Sequence, residues 1–132
     1  MITFTVPGKA APQGSKRHVG GGRMIESSRD LGPWRERVAL AAHHAMSGQA
    51  LMTGAVAVAL EFVLPRPVST PKRVTPAAVK KPDVDKLARG VLDAITSVVI
   101  ADDSQVVRLS ATKRLAEIGE ATFASIRVEE TP

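Results

Sequence analysis

Five aspartates, Asp83, Asp85, Asp93, Asp102 and Asp103, fall within residues 82–103 of a chain whose formal net charge is +5. Only Lys86 and Arg89 oppose them there, so the stretch carries −3. Basic segments flank it on the N-terminal side. Residues 1–23 hold Lys9, Lys16, Arg17 and Arg23 with no acid, and residues 65–81 hold Arg66, Lys72, Arg73, Lys80 and Lys81 with no acid. Cys is absent and there are three His, so thiolate sites, disulfides and imidazole-rich sites are excluded. A metal in this chain would rest on carboxylate oxygen, which favours Mg²⁺, Mn²⁺ or Ca²⁺. Basic loops attract polyanions, and a divalent cation would let a carboxylate cluster face a phosphate. Charge alone fits an ordinary solvated surface equally well.

Spacing narrows the choice. Asp83 and Asp85 are two apart, and on a regular helix they would point about 200° away from each other. They can converge only if Asp83 lies before or at a helix start, in extended geometry, and Pro82 helps keep the preceding residue extended. The helix N-terminus beneath such a pair favours phosphate. Arg89, four residues after Asp85, shares its helix face. Asp93 is one turn further on and is expected to pair with Arg89 rather than bind metal. Asp102 and Asp103 come after the helix, where a chain reversal returns them to the cluster. Three or four carboxylates plus water suit Mg²⁺ or Mn²⁺, which can polarise a phosphodiester, activate water and stabilise a leaving 3′-oxygen. One ion and two both remain open. His43 and His44 are expected at a helix surface, and His18 in the basic loop.

The elements that must position these groups follow from periodicity. Residues 2–6 alternate and stop at Pro7-Gly8, which predicts a strand. A Gly-rich basic loop spans 8–23, with Gly20-Gly21-Gly22 as a hairpin tip and 24–26 as a short return strand. Residues 34–46 read as a helix with Trp34, Val38, Ala41 or Ala42, and Ala45 as its apolar stripe. Pro33 suits its first turn and Gly48 its stop. A long strand at 54–64 puts Val56, Val58, Leu60 and Phe62 on one face. Five prolines in residues 65–82 forbid regular structure there. A second helix is expected from about Val84 to Val98, with Leu87, Val91, Ile95 and Val98 buried. Residues 105–115 and 121–129 read as two last strands, turning at 117–120. The order predicts one α+β domain over residues 1–132, with a small mixed sheet and two main helices. No apolar run spans a bilayer, and MITFTVPGKA lacks the features of a signal peptide, so a soluble, cytoplasmic protein is expected.

The run Lys81-Pro82-Asp83-Val84-Asp85-Lys86-Leu87-Ala88-Arg89, then Val91-Leu92-Asp93-Ala94-Ile95, then Asp102-Asp103-Ser104-Gln105 resembles the RusA family of Holliday junction resolvases (crossover junction endodeoxyribonucleases). The family pattern is roughly KPDxDNLxKxxxDAL followed by DDSQ or DDAQ. The resemblance is close over residues 81–106 and looser elsewhere. It implies a RusA-like fold and a Mg²⁺-dependent nuclease, Mn²⁺ also serving, that acts as a homodimer on four-way junction DNA. It implies a role in recombination and repair in a bacterial host, commonly from a phage or prophage. By position it makes Asp83, Asp85 and Asp103 the metal-binding and catalytic acids, with Asp102 their companion. Arg89 stands where the family has an essential Lys, and Lys86 where it has Asn. Arg keeps the charge but cannot give up a proton at useful pH, so Arg89 is expected to stabilise phosphate charge. Given the family, Lys9, Lys16, Arg17, Arg23, Arg73, Lys80, Lys81 and Lys86 are expected to contact DNA. Lys113 and Arg114 fit DNA or plain surface equally. The departures at Lys86 and Arg89 sustain one alternative, a non-catalytic DNA-binding module of the same fold. Aromatic residues are 3% and Tyr is absent, which argues against a stacking platform for single strands.

Overall fold

The computed structural model describes the backbone of residues 1–14, 16–19, 23–26 and 29–132, and the side chains of 1–14 and 29–132. Its elements run β1 (Ile2–Pro7), β2 (Lys16–Val19), β3 (Arg23–Glu26), α1 (Leu31–Met46), β4 (Val56–Leu64), α2 (Val84–Ile95), a 3₁₀ turn (Asp103–Gln105), β5 (Val106–Leu115) and β6 (Phe123–Glu130). β2 and β3 pair antiparallel as a separate ribbon. The return strand expected at 24–26 is therefore present, while the glycine tip expected at 20–22 lies outside the described residues. The main sheet has four strands in the order β1-β6-β4-β5. β6 is antiparallel to both its neighbours, and β4 and β5 are parallel. The fold is α+β with a mixed sheet, as the element order predicts.

Alternation decides which face of the sheet is buried. On β4, Val56, Val58, Leu60, Phe62 and Leu64 are buried. On β6 the buried residues are Ala124, Ile126 and Val128, paired across to Phe62, Leu60 and Val58. Both helices cover this face. α1 contributes Trp34, Val38, Ala42 and Met46, and α2 contributes Leu87, Val91 and Ile95. Fully burying such a side chain stabilises the fold by roughly 1.5–3 kcal/mol before the entropy of ordering it. The opposite face, with Thr3, Thr5, Ser110, Thr112 and Arg127, is exposed. Among the described residues no helix is long and apolar enough to cross a membrane.

The expected end of the second helix is corrected. α2 ends at Ile95, not Val98. The Thr96 hydroxyl donates to the Leu92 carbonyl at 2.8 Å, and Ser97 takes a left-handed φ of 72°. A Thr-Ser pair that bonds its own backbone in this way competes with helix continuation. Val98 matches the helical period but is placed by the turn. The last two strands, β5 and β6, are present with a turn between them, and β4 lies between them in the sheet. The chain from β5 crosses the end of β4, where Arg114 grips Glu120 through two bonds of 2.7 and 2.8 Å. That grip holds the Glu120 carboxyl down to about 2.

The proline-rich stretch 65–82 has no regular structure, as expected, but it is organised. Prolines remove backbone donors, and Arg66 supplies replacements. Its guanidinium donates to the Pro71 and Val74 carbonyls at 2.5 Å and to the Thr75 hydroxyl at 2.7 Å. Thr75 in turn donates to Glu117 at 2.7 Å. Arg66 is thus tied to the loop it begins.

Candidate active site

α2 begins at the site. Asp83 is its N-cap, with φ −71° and ψ 140°, and Asp85 lies in the first turn. The backbone switches from extended to helical between them, which is the condition for two carboxylates at this spacing to share a side. An N-cap aspartate ordinarily accepts a bond from the first-turn N–H groups. Asp83 makes no such bond. Among the described residues, its half-exposed carboxylate meets only the Lys86 ammonium, at 3.9 Å. A pair this exposed is weak, so the Asp83 oxygens are available.

The approach to Asp83 is fixed from the sheet. Lys113 on β5 donates to the Lys80 and Pro82 carbonyls, both at 2.8 Å. The ammonium satisfies two backbone carbonyls of a stretch without regular structure. Of the two roles open for Lys113, neither is what the structure shows: it holds the chain that carries Asp83. Arg114, engaged with Glu120 and Glu61, is likewise occupied within the fold.

The second pair of acids sits on the 3₁₀ turn. Gln105 ties this turn down with all of its amide's hydrogen-bonding atoms. Its Oε1 accepts from the Ala101 and Asp102 N–H groups at 2.7 and 2.9 Å. Its Nε2 donates to the Met52 and Gly54 carbonyls at 2.8 and 2.9 Å. The turn is thereby fastened to the segment entering β4. Replacing Gln105 with Ala leaves these four backbone groups short of partners. We expect a loss of about 1–2 kcal/mol in urea denaturation, and a larger loss in catalysis than in DNA binding. An unchanged denaturation midpoint would show that the four bonds carry no weight.

Asp102 and Asp103 are electrostatically unequal. The Ser104 hydroxyl and N–H lower Asp102 below the usual carboxylate range. Asp103 is raised, first by its contact with Asp102, then by partial desolvation and by the charges of Asp102 and Asp93, while Arg89 pulls it back. Arg89, Asp93, Asp102 and Asp103 therefore form one neighbourhood. The Arg89–Asp93 ion pair expected from their spacing does not form. Asp93 acts instead on Asp103, because the turn at 101–104 brings the second acidic pair back alongside this stretch of α2.

The donor chemistry fits a divalent cation. The carboxylates are exposed and oxygen-only, Asp83 is uncapped, and crowding of acid on acid around Asp103 is what a cation would relieve. Among the described residues no three of these side chains are already gathered at ligating positions. Asp83 with Asp85, and Asp102 with Asp103, stand as two halves carried by separate segments.

The expected DNA contacts divide into groups. Lys9, Lys81 and Lys86 line a cleft beside Asp83. Arg73 and Lys80 are exposed on the proline-rich loop. Lys16, Arg17 and Arg23 lie on the β2–β3 ribbon, and their side chains fall outside the described residues, as does His18. His43 and His44 are exposed in the last turn of α1, as expected. Sequence reasoning missed Lys113 and the bonding role of Gln105. Their partners are backbone carbonyls and N–H groups of the folded chain, and no residue pattern announces those.

The family model described as endodeoxyribonuclease RusA matches residues 6–128. The uncharacterized protein YqaN of Bacillus subtilis (strain 168) is 32% identical over 127 residues, covering 88% of this chain and 89% of its own length.

Proposed function

The chain belongs to the RusA endodeoxyribonuclease family, and from that membership we propose that it resolves four-way DNA junctions by metal-assisted phosphodiester hydrolysis. The observation that supports this reading is Asp83 at the head of α2, extended and making no cap bond, so that its carboxylate stays open; Asp103 is carried on a separate turn that Gln105 locks. Asp83, Asp85 and Asp103, with Asp102 beside them, are the residues that would hold Mg²⁺ or Mn²⁺. When bound, such an ion supplies Lewis acidity to the phosphodiester and to the attacking water. Arg89 faces the same neighbourhood and stabilises charge developing on the phosphate. It does not serve as a proton donor, since a guanidinium stays charged. Lys9, Lys81 and Lys86 hold the strand, with Arg73, Lys80 and the ribbon residues Lys16, Arg17 and Arg23 gripping the arms.

A junction has near-twofold symmetry and each chain carries one acidic cluster, so paired nicking calls for a C₂ homodimer. The apolar face of β4 is buried in the core of the single chain and is not free for such an interface. Helix α1 carries the exposed Leu40 and is the surface we propose for that interface.

One observation favours a second reading. Lys86 stands where the family has Asn and pairs with Asp83, supplying in place a positive charge that competes with a metal. A non-catalytic DNA-binding module would use it in that way. Junction, flap, duplex and RNA substrates incubated in Mg²⁺ and in EDTA separate the readings. Preferential cutting of the junction, abolished by EDTA, is expected. Junction binding with no cutting in Mg²⁺ or Mn²⁺ would establish the second reading, and preferred cutting of flap or RNA would move the substrate class.

A further inference from the structure

The cleft beside Asp83 has about 660 Å³ of space and is lined by Lys9, Arg37, Lys81 and Lys86 against Asp30 and Asp83. Four cations against two acids leave it positive. Lys9 and Lys81 come from the basic segments, and Lys86 from the first turn of α2. The fourth, Arg37, comes from the middle of α1, where the sequence pattern reads only as a solvated helix face.

Arg37 is arranged with unusual definition for an exposed arginine. Its guanidinium carbon lies 5.4 Å from the centroid of the Trp34 ring, one helical turn back, within cation–π range. Trp34 is itself fully buried, so the platform is immobile. The guanidinium also packs over Gly8, at the exit of β1. A Cβ on Gly8 would lie 2.5 Å from Arg37 Nη1 and 3.2 Å from its Cζ. Gly8 has φ +109°, a conformation open to glycine, and its N–H is fixed on the Thr122 carbonyl at 3.0 Å. Among the described residues, no hydrogen bond or ion pair within the fold uses the guanidinium. A planar cation in contact with both an indole and a glycine, with its donors uncommitted, is pre-organised for an anionic oxygen pair. The anion that belongs beside the proposed nuclease carboxylates is a DNA phosphodiester.

We propose that Arg37 is a phosphate-contacting residue of this cleft, gripping the DNA backbone next to the phosphate that is cut. The proposal rests on the nuclease reading for the identity of its ligand, and the test keeps the two apart. Binding of a four-way junction is measured in EDTA, where no cutting intervenes, from 50 to 200 mM salt for wild type, Arg37→Ala, Arg37→Lys and Arg127→Ala; this range is on the order of that over which phosphate contacts are resolved. Arg127 is exposed on the far face of the sheet and controls for net charge.

Loss of one phosphate contact should lower the slope of log K against log salt by roughly 0.9 and weaken binding roughly eightfold near 0.1 M salt. That result is expected for Arg37→Ala. Arg37→Lys should keep most of the slope, and Arg127→Ala all of it. In Mg²⁺, Arg37→Ala should raise KM with kcat retained, because the contact is made equally before and during the reaction. An Arg37→Ala slope equal to wild type, or an equal fall for Arg127→Ala, would overturn the proposal. If wild type itself fails to bind junction DNA in EDTA, the substrate reading falls instead, and the Arg37 contact falls with it.

Discussion

Replacing Asp83, Asp85 or Asp103 with Asn should reduce junction cutting by on the order of 10³-fold or more, while junction binding persists or strengthens. Asn is nearly isosteric and keeps one oxygen, so the fold is retained. What disappears is the anionic donor. Asp83 and Asp85 are exposed at the head of α2, and Asp103 is exposed on the 3₁₀ turn, so the core loses nothing. Each substitution also removes a negative charge that would face phosphate, and for that reason binding should not fall. Single-turnover cleavage in Mg²⁺ beside a binding titration in EDTA checks both halves. Any of the three variants cutting near the wild-type rate would remove that residue from the proposed metal set.

Arg89→Ala should lower the chemical step by on the order of 10²-fold. Arg89 is exposed on α2, and its charge lowers Asp103 against the push of Asp102 and Asp93. Its removal therefore does two things. The phosphate loses a cation that stabilises its developing charge, and Asp103 loses a nearby positive charge that acts to lower its titration. The sign of the second effect is definite. Without Arg89 the Asp103 carboxyl titrates at higher pH, so the acid limb of the rate profile should move upward. Arg89→Lys keeps the charge and places the family's usual residue there, so it should remain active. Full activity in Arg89→Ala together with an inactive Lys86→Ala would show that the basic role belongs to Lys86.

Much of this site is legible in the residues because its logic is local. Asp83 and Asp85 at a spacing of two, behind Pro82 and ahead of a helical stripe, dictate an extended-to-helical switch, and the backbone of Asp83 shows it. Strand β4 is equally plain, since Val56, Val58, Leu60 and Phe62 alternate over a two-residue period and every one is buried. What escapes local reasoning depends on the path of the chain. The parallel pairing of β4 with β5 is a crossover property, and it inserts β4 between strands that are neighbours in sequence. Arg66 and Lys113 read as basic surface. They become internal ties only because the proline-rich loop folds its carbonyls back onto them. Gln105 reads as a motif letter, and its use emerges when residues 52–54 are found beside the turn. Arg37 belongs to the same kind, since Gly8 is distant in sequence and meets it only across the β1 exit.

The most direct test of junction resolution is a supercoiled plasmid carrying an extruded cruciform, incubated with the wild-type protein in Mg²⁺ and in EDTA. Two nicks of like polarity across one junction convert the circle to a linear molecule within a single binding event. Linear product should appear in Mg²⁺ from the earliest times without prior accumulation of nicked circle, with no product in EDTA and none with Asp83→Asn. Nicked circle alone, cutting that ignores the cruciform, or cutting that survives EDTA would contradict metal-dependent resolution by paired incision.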